Sequence, residues 1–128
     1  MQLFHPKNQT EYTELVQSYP CVVVDMYSTD CPPCNRLAPI YDRAVERYAS
    51  VAFLKIHRQE FRELAESFHI FSSPTVLFFH RGELQANRLA GVIEESDLHA
   101  EVERLLLKEK EASLATSETT ERKSSSVE

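Results

Sequence analysis

Continuous apolar runs alternate along the chain with segments whose apolar residues recur every three or four positions. Gln2 to Phe4 reads as a short strand. Asn8 to Ser18 has helical spacing, with Tyr12, Leu15 and Val16 on one side and Asn8 or Thr10 as N-cap. Tyr19-Pro20 ends that helix, because a residue before proline is pushed out of the helical region. Cys21 to Tyr27 is then apolar throughout except at Asp25, the pattern of a strand buried on both faces. Helical period returns from Pro32 to about Ala49 through Leu37, Ile40, Tyr41, Ala44, Val45 and Tyr48, with Pro39 inside as an expected kink. Val51 to Ile56 predicts a second buried strand. Glu60 to Ser67 predicts a short helix with Phe61, Leu64, Ala65 and Phe68 inward, and Thr75 to His80 a third buried strand. Arg81-Gly82 marks a tight turn, after which Glu83 to Ala90 returns as a strand broken at Gly91. Ser96 is placed to cap a last helix running to about Lys108, with Leu98, Val102, Leu105 and Leu106 inward.

The order β-α-β-α-β-α-β-β-α predicts an α/β fold: a central sheet, mostly parallel, flanked by helices on both faces, with an antiparallel hairpin at one edge. The length of 128 residues suits one domain. Residues 1–110 carry all the periodic pattern. Residues 111–128 are rich in Ser, Thr and Glu without apolar periodicity and predict a disordered tail.

Charge and composition narrow the function. The net charge of −6, with no basic cluster, argues against a nucleic-acid partner. No apolar run approaches the roughly 18 residues of a membrane span, and Met1 to Lys7 lacks the character of a secretory signal. The expectation is a soluble, cytoplasmic monomer.

Of three cysteines, Cys31 and Cys34 stand two residues apart where a buried strand gives way to a helix. Positions i and i+3 share a helix face, so a disulfide can close there. The unpaired N–H groups and positive dipole of a helix N-terminus favour thiolate, which makes Cys31 the more reactive thiol and leaves Cys34, one turn in, shielded. Pro32 suits the first turn because its missing N–H is not needed there. The rival reading is a zinc half-site. It lacks a second pair of ligands, since no other C-x-x-C exists and the five histidines are scattered. Cys21, at the head of a buried strand, reads as a small buried hydrophobe. His57, His69, His80 and His99 read as strand-end or surface residues.

Taken together the chain resembles the thioredoxin family over residues 2 to 108. The resemblance rests on Val22-Val23-Val24-Asp25-Met26-Tyr27, on Cys31-Pro32-Pro33-Cys34 with Pro39 downstream, on Ser73-Pro74-Thr75, and on Gly82 and Gly91; Lys55 falls where thioredoxins place a lysine near the buried acid. It implies a thioredoxin fold with a mixed sheet. It also implies a thiol–disulfide oxidoreductase working through Cys31 and Cys34, without a cofactor, on protein disulfides, and recharged by a separate reductase or thiol donor. Pro74, by residues alone a trans proline opening a strand, becomes cis and faces the cysteines. The backbone of Ser73 pairs with an extended substrate, Pro32 borders the substrate site, and Gly91 and Val92 form its other lip. Asp25, its pKa raised by burial, serves as proton shuttle for Cys34 beside Lys55.

Two departures accompany these matches. Thioredoxins usually have Trp before the first cysteine, whereas this chain has Asp30 and no Trp at all. Asp30 reads either as a helix N-cap or as a charge opposing thiolate formation. Pro32-Pro33 replaces the usual Gly-Pro and removes backbone donors near the sulfurs. The departures motivate an alternative, a thioredoxin-like interaction or chaperone module whose redox activity is secondary.

Overall fold

The computed structural model describes residues 2–127, with side chains described for residues 2–115. The elements follow as β1 (Leu3–Phe4), α1 (Gln9–Ser18), β2 (Cys21–Tyr27), α2 (Pro32–Arg47), β3 (Ala52–His57), α3 (Arg62–Ser67), β4 (Thr75–His80), β5 (Glu83–Leu84), β6 (Leu89–Ala90) and α4 (Glu95–Val127). The sheet order is β1-β3-β2-β4-β5, with β6 also on β4. Alternate residues of the central strands feed two cores. Cys21, Val23, Val76 and Phe78 pack with Leu37 and Tyr41 of α2 and Leu98 and Val102 of α4. Val22, Val24, Met26 and Leu77 pack with Tyr12 and Val16 of α1 and Leu64 of α3. Full burial of such a side chain stabilises by about 1.5–3 kcal/mol, which is why β2 and β4 hold the centre.

The sheet is mixed rather than mostly parallel. β1 and β2 both run parallel to β3, whereas β2–β4, β4–β5 and β4–β6 are antiparallel. Helix length explains the difference. A six-residue strand is about 20 Å long. The sixteen residues of α2 carry the chain back about 24 Å at 1.5 Å per residue, enough to restart β3 beside the start of β2. The six residues of α3 return only about 9 Å. The chain therefore re-enters the sheet near the end where β3 left it, and Thr75 pairs with Met26. That reversal sets Ser73 and Pro74 at the same end of the sheet as Cys31.

Three local expectations change. The return strand Glu83 to Ala90 divides into β5 and β6. Between the pairs Phe79–Leu84 and Val76–Leu89 the return side carries four residues against two on β4, so the surplus bulges outward. Ser96 does not cap α4. It lies in the first turn, where the Glu94 carbonyl accepts from the N–H groups of Asp97 and Leu98. Helix α4 also passes Lys108 and the boundary expected at 110 without a break. Glu109, Lys110, Glu111, Ala112, Leu114 and Ala115 are good helix formers, and Glu109 is anchored to Arg81 and His80. Most of the tail expected at 111–128 falls where side chains lie outside the described residues. Arg81 and Gly82 both have positive φ, 49° and 84°, as a tight two-residue hairpin turn requires.

Candidate active site

β2 ends at Tyr27, and Ser28 to Asp30 lead into α2. This loop is tethered sideways: the Thr29 hydroxyl and His57 Nε2 are 2.8 Å apart, and the His57 ring sits edge-on to Tyr27. Asp30 adopts positive φ, 52°, a conformation Asp tolerates better than most residues. It is not the N-cap. Cys31 is, with its Sγ accepting from the Cys34 N–H at 3.2 Å.

The first turn of α2 accounts for all its donors. Pro32 and Pro33 have no N–H, the Cys34 N–H goes to Cys31 Sγ, and the Asn35 N–H goes to the Cys31 carbonyl at 3.1 Å. One residue thus serves every free donor at the helix start, and the sulfur takes the first of them. Cys31 and Cys34 are joined as a disulfide with Cα atoms 5.2 Å apart. The expected contrast in shielding is absent: each residue is 8% exposed. The two thiols differ by their place on the helix, not by access.

Facing them, the Ser73–Pro74 peptide is cis. The Ser73 carbonyl oxygen lies 3.5 Å from Cys31 Sγ, and the Ser73 hydroxyl accepts from Arg58 Nη1 at 3.1 Å. Gly91 donates its N–H to the Pro74 carbonyl at 3.1 Å. A Cβ on Gly91 would meet open space, so its need is conformational: φ is +75°. Pro32 and Val92 are exposed beside this seam. Ser73, Pro74 and Gly91 therefore meet in the structure.

Asp25 lies on the β2 face that α2 covers, in register with Lys55 of β3. It is buried, and among the described residues its Oδ1 has no hydrogen-bond partner. Burial pushes its pKa from 3.8 up to about 7, against the opposing pull of the Lys55 charge. The Lys55 ammonium itself sits 5.3 Å from the centre of the Tyr27 ring. Among the described residues, no three His, Cys, Asp or Glu side chains converge where they could hold a metal ion. Nor is any helix long and apolar enough to cross a membrane.

The family profile described as Thioredoxin matches residues 4–104. That span holds both cysteines, the cis proline and Gly91. The chain belongs to the thioredoxin family. It is 32% identical over 94 residues to a thioredoxin of Mycoplasmoides gallisepticum, covering 73% of this chain and 93% of that protein. It is 30% identical over 121 residues to a thioredoxin of Neurospora crassa, covering 88% and 95%. A variant thioredoxin from Halobacterium salinarum superposes with a TM-score of 0.75 at 26% identity, covering 81% of this chain and 90% of that one. As a thioredoxin-family protein the chain is a thiol–disulfide oxidoreductase, and its fold is the thioredoxin fold.

Two neighbours of the site have no counterpart among the sequence expectations. Phe71, 73% exposed, is the most exposed large apolar side chain described, and Arg58 holds the Ser73 hydroxyl. Phe71 lies in the Ile70-Phe71 pair just before Ser72-Ser73-Pro74, outside any periodic element. Reading that loop as chemistry rather than as a connection would have found Phe71; Arg58, in the turn after β3, carries no such signal in the sequence.

Proposed function

We propose that Cys31 is the attacking thiol of a protein-disulfide reductase, with Cys34 resolving and Asp25 moving the proton. The observation that carries this is the cap: Cys31 Sγ takes the first available N–H of α2 while sitting 3.5 Å from the Ser73 carbonyl. An N–H aimed at sulfur favours its anionic form. Cys31 thiolate attacks one sulfur of a substrate disulfide, forming a mixed disulfide and releasing the other sulfur as thiolate. Cys34 gives its proton to Asp25 and attacks Cys31 Sγ. The second substrate sulfur leaves, and the Cys31–Cys34 disulfide remains. Two electrons have passed to the substrate. A pKa of about 7 lets Asp25 both take a proton and return it near neutral pH.

The substrate lies along the Ser73 backbone, bordered by Pro32 on one side and by Gly91 and Val92 on the other. Lys55 tunes Asp25 by charge. Asp30 is a positioning residue, its left-handed backbone delivering Cys31 to the cap. A separate protein or thiol pool resets the disulfide. A reducing compartment such as the cytoplasm suits this cycle and keeps buried Cys21 a thiol.

Equilibration in a series of glutathione redox buffers, followed by alkylation and mass measurement, tests the proposal, with Cys31→Ser and Cys34→Ser as controls. A reversible Cys31–Cys34 disulfide with a potential near about −270 mV is expected for a reductase. A value toward about −120 mV would make the protein an oxidant. No exchange between these residues at any poise would remove the mechanism.

A further inference from the structure

Beside Ser73 the surface opens into a cleft of about 340 Å³, lined by Arg58, Arg62, Glu66, Ile70 and Phe71 among others. It lies between the turn after β3 and the loop before the cis proline, and Arg58 Nη1 reaches from it to the Ser73 hydroxyl. Its two cations are not neutralised by an ion pair, unlike some other arginines among the described residues. Arg43, Arg81 and Arg104 each hold a carboxylate within 3.5 Å. Among the described residues, the Arg58 and Arg62 guanidinium groups are in no such pair. They flank an apolar side chain, Phe71, that is 73% exposed on a chain of net charge −6. Glu66 at the rim cancels one of the two charges and leaves the cleft positive.

We propose that this cleft is a specificity subsite for an acidic side chain close in sequence to the half-cystine under attack. The inference rests on the attacking role of Cys31 proposed above. A substrate strand paired with Ser73 places its cysteine at Cys31, and each further residue advances about 3.3 Å. An Asp or Glu within about three residues of the cysteine therefore falls over the cleft, given the reach of an arginine side chain. Phe71 supplies the flat apolar contact beneath the strand, at a site that has no Trp. A guanidinium accepts a carboxylate through paired N–H bonds, which adds orientation to attraction.

The net charge makes the test sharp. A chain of −6 attracts basic peptides at long range, so preference for acidic ones requires a local cause. Symmetrical disulfide-linked peptide dimers, identical except for Asp, Asn or Lys two positions from the cysteine, are mixed with fully reduced protein. The reaction is quenched in acid and the released peptide thiol is quantified by chromatography. Each turnover converts one peptide disulfide to two thiols and the Cys31–Cys34 dithiol to the disulfide. The Asp dimer is expected to react about fivefold faster than the Lys dimer, the scale of one or two close charge contacts. That ratio should fall toward one in Arg58→Gln and Arg62→Gln, invert in Arg62→Glu, and shrink as salt rises. Because the ratio is read within each variant, a general loss of reactivity cancels. A Lys dimer that reacts as fast as the Asp dimer with the unaltered protein, or a ratio unchanged in all three variants, would overturn the subsite. A protein that reduces none of the dimers nor bis(2-hydroxyethyl) disulfide would overturn the dithiol cycle itself.

Discussion

A buried cysteine lies at each end of β2, Cys21 on its first residue and Cys31 four residues past its last, and the two are treated in opposite ways. Cys21 opens the strand. It is 1% exposed, and its Sγ lies 3.8 Å from the Leu105 carbonyl, an acceptor. Burial, then the nearby Glu109, pushes its pKa up to about 11, with Arg81 pulling the other way. Cys31 follows the far end of the strand, and its sulfur, 3.5 Å from the Ser73 carbonyl, also takes an N–H, that of Cys34 at 3.2 Å. Exposure separates them only from 1% to 8%. Both sulfurs meet a carbonyl, so what separates them on the proposed mechanism is the helix N-terminus at Cys31, whose N–H favours the thiolate. The surroundings differ as well. The Cys21 end is closed by Arg81 and His80 on Glu109, whereas the Cys31 end carries Phe71 and Val92, both largely exposed.

Exchanging the sulfurs one at a time breaks the comparison most severely. Cys31→Ser should slow disulfide reduction by at least about a thousandfold, because the nucleophile is gone. Cys21→Ser should leave the rate within about twofold while costing on the order of 1–2 kcal/mol in a denaturant melt, the price of a buried hydroxyl. Native protein, once reduced, should also lose only the Cys31 and Cys34 thiols to brief alkylation.

Asp25 gives the next largest effect, and its sign is specific. Its pKa is raised from 3.8 to about 7, so between those values the folded chain keeps a proton that the unfolded chain has lost. Stability therefore falls as pH rises through that window, and the penalty is complete above it. Three pH units correspond to about 4 kcal/mol. Asp25→Asn in the oxidised protein should remove this slope, gaining on the native chain from pH 4 to 7 in urea melts. The same variant should slow resolution of the mixed disulfide near neutral pH, and less so at pH 9, where base from solvent competes for the proton that Asp25 would take. A parallel pair of stability curves would show that Asp25 does not titrate in this range.

The smallest effect tests the closed end. Glu109 is held below the usual carboxylate range by its hydrogen bond to Arg81 and then by His80, against burial. Its side chain is 24% exposed and that of Arg81 47%, so solvent screens most of the attraction. Glu109→Gln should cost about 1 kcal/mol at pH 7. That contribution exists above the ordinary glutamate pKa and disappears as pH falls through the lowered one. Disulfide reduction should be unaffected.

Much of this was written in the order of residues. Unbroken apolar runs declared the central strands, since Cys21–Tyr27 and Thr75–His80 have the bounds their composition implies. Asn8 proved to be the cap of α1, accepting from the Glu11 N–H. The spacing of Cys31 and Cys34 was enough to place a disulfide on one helix face. The choice of N-cap at α2 was not legible. By residue type Asp30 is the expected cap, and what decided against it was its left-handed backbone, which hands the cap to the sulfur of Cys31.

The direction of β4 also lay beyond periodicity, because an apolar run has no sense of direction. Only the sheet shows that α3 is too short to carry the chain back, and only that reversal brings Phe71, Ser73 and Pro74 to the cysteines and to Arg58, which the parallel pairing of β3 with β2 already holds there. Local chemistry, meaning which residues can be strand, cap or nucleophile, depends on neighbours a few positions apart, and the sequence by itself determined it. The partners of the nucleophile come from 42 residues away at Ser73. They meet it through strand register and the span of the intervening helices, which only the tertiary structure decided.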